Sequence, residues 1–91
     1  MPYQIELTPR AQRELDELPA KEVVRVAHAL SALAEEPRPR GARKLAGTAA
    51  PMWRIRIGDY RVIYSVSDAA RRVIVLRIAR RRPGETYRFR G

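Results

Sequence analysis

Residues 53–64 read WRIRIGDYRVIY and set Arg54, Arg56 and Arg61 around a Gly58-Asp59 turn. Downstream, RIARRRPGETYR adds Arg77, Arg80, Arg81 and Arg82, followed by Tyr87. A guanidinium group grips a phosphate with two parallel hydrogen bonds and stays protonated at any physiological pH. Such a set stabilises a crowded, negatively charged phosphate by electrostatic preorganisation. It is poorly suited to removing a proton. The chemistry that fits is cleavage of RNA, where the substrate brings its own nucleophile, the 2′-hydroxyl. Tyr87 has two readings beside these cations. A phenol near positive charge has its pKa pushed down and becomes a base, or its ring stacks on a nucleobase.

Other chemistries lack their residues. The sole histidine, His28, lies inside a helical stretch, so a Ser-His-Asp set or a two-histidine site has no members. There is no cysteine, hence no disulfide framework and no thiolate metal site. The carboxylates fall mostly in the first half, without the spacing of a metal loop. No glycine-rich phosphate loop occurs. We expect no metal and no cofactor.

The charge distribution points the same way. The chain has 91 residues and a net charge of +9. Residues 1–37 carry four basic and seven acidic side chains, a balance of −3; residues 38–91 carry fifteen and three, a balance of +12. Charge concentrated in one half implies a polyanionic partner. Of the 19 basic residues, 17 are arginine. A GC-rich genome accounts for part of such a bias, and phosphate recognition for the rest. No apolar run approaches the roughly 20 residues of a membrane helix, and MPYQIELTPR lacks the apolar core of a signal peptide. The expectation is a single domain, 1–91, in the cytoplasm.

The elements that must position these residues follow from periodicity. Residues 3–7 alternate weakly and form a first strand. Thr8 is suited to cap a helix and Pro9 to begin it, with Ala11, Leu15 and Leu18 at helical spacing. That predicts a helix over 9–18, stopped by Pro19. Val23, Val26, Ala27, Leu30, Leu33 and Ala34 predict a second over 20–36, ended by Pro37. PRPRGARKLAGTAAP, residues 37–51, reads as a basic loop. Beyond it the period becomes two, and strands are predicted over 52–58, 59–67 and 72–81, with a tail over 83–91. The order β-α-α-β-β-β predicts an α+β fold. The strand and helical hairpin at the N-terminus pack on one face of a four-stranded antiparallel sheet.

Alternation assigns faces. Trp53, Ile55 and Ile57 share one face with Tyr60, Val62, Tyr64 and Val66, and Ile74, Leu76 and Ile78 are expected to join them. The opposite face then collects Arg54, Arg56, Arg61, Arg77 and Arg81 without an acidic residue. One face of an antiparallel sheet can simply be solvated, but a solvated face normally mixes signs. A phosphate-binding surface is the stronger reading.

The run from KLAG (44–47) through WRIRIGDYRVIY to VIVLRIARRRPGETYR resembles the RelE/ParE superfamily of bacterial toxins. The resemblance spans nearly the whole chain. It implies a toxin of a type II toxin–antitoxin system, of the RelE-like branch, which enters the ribosomal A site and cuts mRNA without metal. The products would be a 2′,3′-cyclic phosphate and a 5′-hydroxyl. The family's working positions fall on Arg54, Arg56, Arg61, Arg81 and Tyr87. By that resemblance Arg61 and Arg81 hold the scissile phosphate, Arg81 assists the leaving oxygen, and Tyr87 positions the base or the 2′-hydroxyl. Arg54 and Arg56 add positive potential; Arg77 joins them by alternation as a substrate contact, and Arg80 and Arg82 read either as tail solvation or as ribosomal RNA contacts. Ribonuclease members carry lysines where this chain has Arg54 and Arg56, and many carry a histidine near Ala79-Arg80. The general base is therefore open.

Two other readings stand beside the nuclease: a ParE-like toxin that inhibits DNA gyrase by contact alone, and a plain nucleic-acid-binding module. For either toxin the expected partner is a cognate antitoxin encoded adjacently, acidic or extended. Leu15, Leu18 and Val24 of the helical hairpin are candidate docking residues, although each suits core packing better.

Overall fold

The computed structural model describes residues 2–80. Arg81, Arg82 and Tyr87 lie outside the described residues. The chain runs β1 (Gln4–Leu7), α1 (Pro9–Asp16), α2 (Ala20–Ala32), β2 (Arg43–Lys44), β3 (Trp53–Ile57), β4 (Tyr60–Ser67) and β5 (Arg72–Arg80). The strands form one sheet in the order β1-β5-β4-β3-β2. The α+β class and the helical hairpin are as expected, and the sheet departs from expectation twice. β2 is an additional fifth strand, and β1 pairs with β5 in parallel. A two-residue strand is too short to show a period. β1 and β5 are not joined by a hairpin, so no turn imposes antiparallel pairing on them.

Local chemistry explains the element ends. The Thr8 hydroxyl accepts the Ala11 N–H at 3.1 Å, with Pro9 in the first helical turn. Both helices are shorter than their apolar periods suggest, because Leu18, Leu33 and Ala34 still face inward from the turns that follow. Gly58 has φ +58° at the first central position of the β3–β4 turn, the backbone a type II′ hairpin needs. A side chain there would also collide with the Arg25 guanidinium, 2.7 Å from where a Cβ would sit.

The core lies between the helices and one sheet face. Val26, Leu30 and Leu33 of α2 and Ala11 of α1 meet Ile55, Ile57, Val62 and Tyr64. From β5 the buried residues are Val73, Val75 and Ile78, not the expected set of Ile74, Leu76 and Ile78. The cause is a β-bulge. Ile63 lies opposite Arg77 and Tyr64 opposite Val75, so Leu76 is an extra residue that reverses the alternation. The buried Tyr64 hydroxyl donates to the Pro37 carbonyl at 2.8 Å, and burial pushes its phenol up to about 12.

A polar latch ties the segment after α2 to the far end of the sheet. Arg38 grips Asp68 with two hydrogen bonds of 3.1 and 2.9 Å, and Tyr3 donates to Asp68 at 2.6 Å. Arg38 also lies over the Trp53 ring, 5.4 Å from its centroid. The Arg38 hydrogen bonds, then that of Tyr3, hold the Asp68 carboxyl below its ordinary pKa.

Two outcomes are expected. Leu33→Ala leaves a cavity under α2 and should cost about 2–5 kcal/mol in urea unfolding, a large share of the stability of so small a domain. Asp68 contributes stability above its unfolded pKa of about 3.9, lost as pH falls toward the lower folded value. The urea-midpoint gap between the unaltered chain and Asp68→Asn should hold from neutral pH to about 5 and narrow below about 4. A gap independent of pH would show that the Asp68 charge is not what the latch uses.

Candidate nucleic-acid interface

Strand register builds the cationic face directly. Arg54 lies opposite Ile63, and Arg56 opposite Arg61. On its other side Arg54 lies opposite Arg43 of β2. Across the sheet the outward row therefore reads Arg43, Arg54, Ile63, Arg77. A second row runs Arg56, Arg61, Ala79. Two of these cross-strand neighbours, Arg43 with Arg54 and Arg56 with Arg61, carry like charge directly opposite one another. Such pairs are destabilising, by up to about 1 kcal/mol each.

The arginines differ in how deeply they are held. Arg61 is only 5% exposed. Arg54 is half-buried, and its Nε has no hydrogen-bond partner among the described residues. Arg56 and Arg43 are exposed. A buried N–H without a partner, such as the Arg54 Nε, costs free energy that a bound phosphate would offset.

The structure brings Arg54, Arg56 and Arg61 together as expected and separates two others. Arg77 shares the face, but its Nε is engaged by Glu14 of α1 at 3.2 and 3.4 Å. Arg80 lies opposite Tyr60 on the helix side of the sheet. There it borders a shallow depression with Lys21, Glu22 and Asp59. The bulge at Leu76 sets which residues at the end of β5 point which way.

Arg43 escaped the sequence reading, which placed it in a loop. The only sequence signal was the basic character of RGARK, since a two-residue strand leaves no periodicity. Because β2 covers only Trp53 and Arg54, a cleft of about 680 Å³ opens beside the rest of β3. Leu33, Ile55 and Ile57 line it together with Arg40, Arg43 and Arg56. His28 is exposed on α2, and no cluster of potential metal ligands occurs among the described residues. Leu15 and Leu18 pack against the core, whereas Val24 is 72% exposed. No helix of the described residues is long and apolar enough to cross a membrane.

Two helices packed on a mostly antiparallel five-stranded sheet are the architecture of the RelE-fold toxins. The chain belongs to that superfamily: residues 5–83 match the family described as the ParE toxin of the type II toxin–antitoxin system parDE. It is 35% identical over 85 residues to toxin RelG of Mycobacterium tuberculosis, covering 89% of this chain and 93% of that one. Its fold is similar to the crystal structure of the archaeal RelE–RelB complex from Pyrococcus horikoshii. The TM-score is 0.80 and the identity 32%, over 92% of this chain and 100% of that one. The RelBE2 toxin–antitoxin complex of Mycobacterium tuberculosis matches with a TM-score of 0.78 and 32% identity, over 89% and 100% of the two chains.

Charge reversal at β2 tests whether the arginine rows are held against their own repulsion. Arg43→Glu places opposite charges across from one another at Arg54. It should raise stability by about 0.2–1 kcal/mol in urea while weakening binding to single-stranded RNA. Loss of both stability and binding would mean that Arg43 serves the fold.

Proposed function

We propose that this type II toxin is a ribosome-dependent mRNA endonuclease acting in the cytoplasm. The observation that carries the reading is the convergence of Arg54, Arg56 and Arg61 on one sheet face, in cross-strand register with one another and with Arg43. The similarity at 35% identity to toxins named RelG and RelE supports it. In the proposed reaction the 2′-oxygen of mRNA attacks the adjacent phosphorus and gives up its proton. The bond from phosphorus to the 5′-oxygen breaks, and that oxygen leaves protonated. The products are a 2′,3′-cyclic phosphate and a 5′-hydroxyl. No metal is needed in this scheme.

Arg61 takes the phosphate with Arg81, whose place in the chain directly follows the last residue of β5. Arg81 also assists the departing oxygen. Tyr87 orients the base or the 2′-hydroxyl. Arg54 and Arg56 supply potential that steers and holds the RNA backbone, and Arg82 adds a contact to RNA beyond the scissile phosphate, a role that Arg80, on the helix side of the sheet, does not share.

The silencing partner is a cognate antitoxin, as in the RelE–RelB and RelBE2 complexes that the fold resembles. The cleft beside β3, apolar at its floor and basic at its rim, suits an antitoxin segment that alternates apolar and acidic residues.

Expression of the free chain beside its Arg81→Ala variant, with primer extension on a ribosome-bound message, tests the proposal. Cuts at A-site codons are expected, and they should vanish in the variant. Growth arrest with intact mRNA would move the target to DNA gyrase or another protein. Neither arrest nor cuts would leave a binding module.

A further inference from the structure

Two acidic side chains among the described residues reach the outward sheet face, Glu6, which pairs with Arg72 at 2.8 Å, and Glu14, which reaches the arginine cluster, and the nuclease mechanism gives Glu14 no role. It projects from α1 to the edge of β5. β1 pairs with β5 only from Arg72 to Val75, so beyond the bulge that edge has no strand beside it. The Glu14 carboxylate takes the strand's place, accepting the Ile78 N–H at 2.9 Å. The same carboxylate accepts from the Arg77 Nε at 3.2 and 3.4 Å, and the Arg10 Nε lies 4.0 Å away.

Arg77 belongs by register to the outward row that contains Arg54, and it neighbours Arg61 diagonally. Its guanidinium is instead drawn to the sheet edge, where its charge is neutralised. With Glu14 and Arg77 side chains 23% and 33% exposed, the pair is only partly screened by solvent. We propose that Glu14 is a positioning residue that withholds Arg77 from the RNA backbone. It thereby limits the phosphate contacts of the toxin to those around Arg54, Arg56 and Arg61. A toxin that must find one phosphate inside the ribosome gains from weaker attachment to every other RNA in the cell. The inference rests on the sheet face being the RNA-binding surface.

The test is binding of the antitoxin-free chain to a single-stranded oligouridylate across a salt series. Glu14→Gln retains an oxygen for the Ile78 N–H, and thermal unfolding verifies that the fold survives. Freed from its ion pair, Arg77 should add one phosphate contact and steepen the slope of log K against log salt by about 0.7. Over a fourfold rise in salt that is roughly a 2.5-fold further loss of affinity. Adding Arg77→Ala to Glu14→Gln should restore the original slope. Glu17→Gln removes an equal charge from the exposed end of the same helix and should leave the slope unchanged.

An unchanged slope in Glu14→Gln, or an equal steepening in Glu17→Gln, would overturn the proposal and leave the RNA-binding face standing. Absence of any salt-dependent binding by the unaltered chain would overturn both.

Discussion

Every outward arginine of β3 and β4 is held in place by an inward apolar neighbour. Ile55 separates Arg54 from Arg56, and Tyr60 and Val62 flank Arg61; all three apolar residues are buried. Because side chains alternate across a strand, burying one set presents the other at a fixed spacing. A slip of one residue would bring the arginines into the core. The free energy of that error pins the register, so the hydrophobic core positions the cationic face without touching it. Tyr64 reinforces the arrangement from the middle of β4, through its hydrogen bond to the Pro37 carbonyl.

The β3–β4 hairpin was fully legible for the same reason: strict alternation around a Gly-Asp turn leaves no competing register, although burial of Arg61 and Ile63 on the outward face was not foreseen. β5 was legible as a strand but not in its facing. VIVLRIA is apolar on both sides, so nothing in it marks Leu76 as the extra residue. The bulge becomes visible only through the pairing of Ile63 with Arg77 and Tyr64 with Val75. β2 and the parallel pairing of β1 depend on contacts between distant segments, which local pattern does not encode. The Thr8-Pro9 helix start was readable because capping is local chemistry. Of the candidate site, Arg54, Arg56 and Arg61 were readable from alternation alone. The diversion of Arg77 was not, since a helical glutamate 63 residues away carries no mark of the strand it will reach.

The electrostatics of the face oppose the fold. Arginines sit opposite one another at two cross-strand positions, and one of the four is almost fully buried. Lysine at the same positions would relieve part of the repulsion by losing a proton when crowded. Arginine cannot, so the positive potential is permanent and does not depend on pH within the physiological range. The register fixes these like charges beside one another, so the positive field is preorganised.

That permanence also constrains the chemistry. A guanidinium stabilises the phosphate and can donate to a departing oxygen, but it does not accept the 2′-hydroxyl proton. In the proposed mechanism Tyr87 would be the one titrating group among the candidate residues, and a phenol approaches basicity only where positive charge depresses its pKa. The same arginines that hold the phosphate are the ones able to provide that depression. If Tyr87 is the base, substrate binding and base activation would be two consequences of one electrostatic field. A substitution that weakens the field should lower the rate through both, with the larger loss in the chemical step, because the phosphate gains negative charge as the 2′-oxygen attacks.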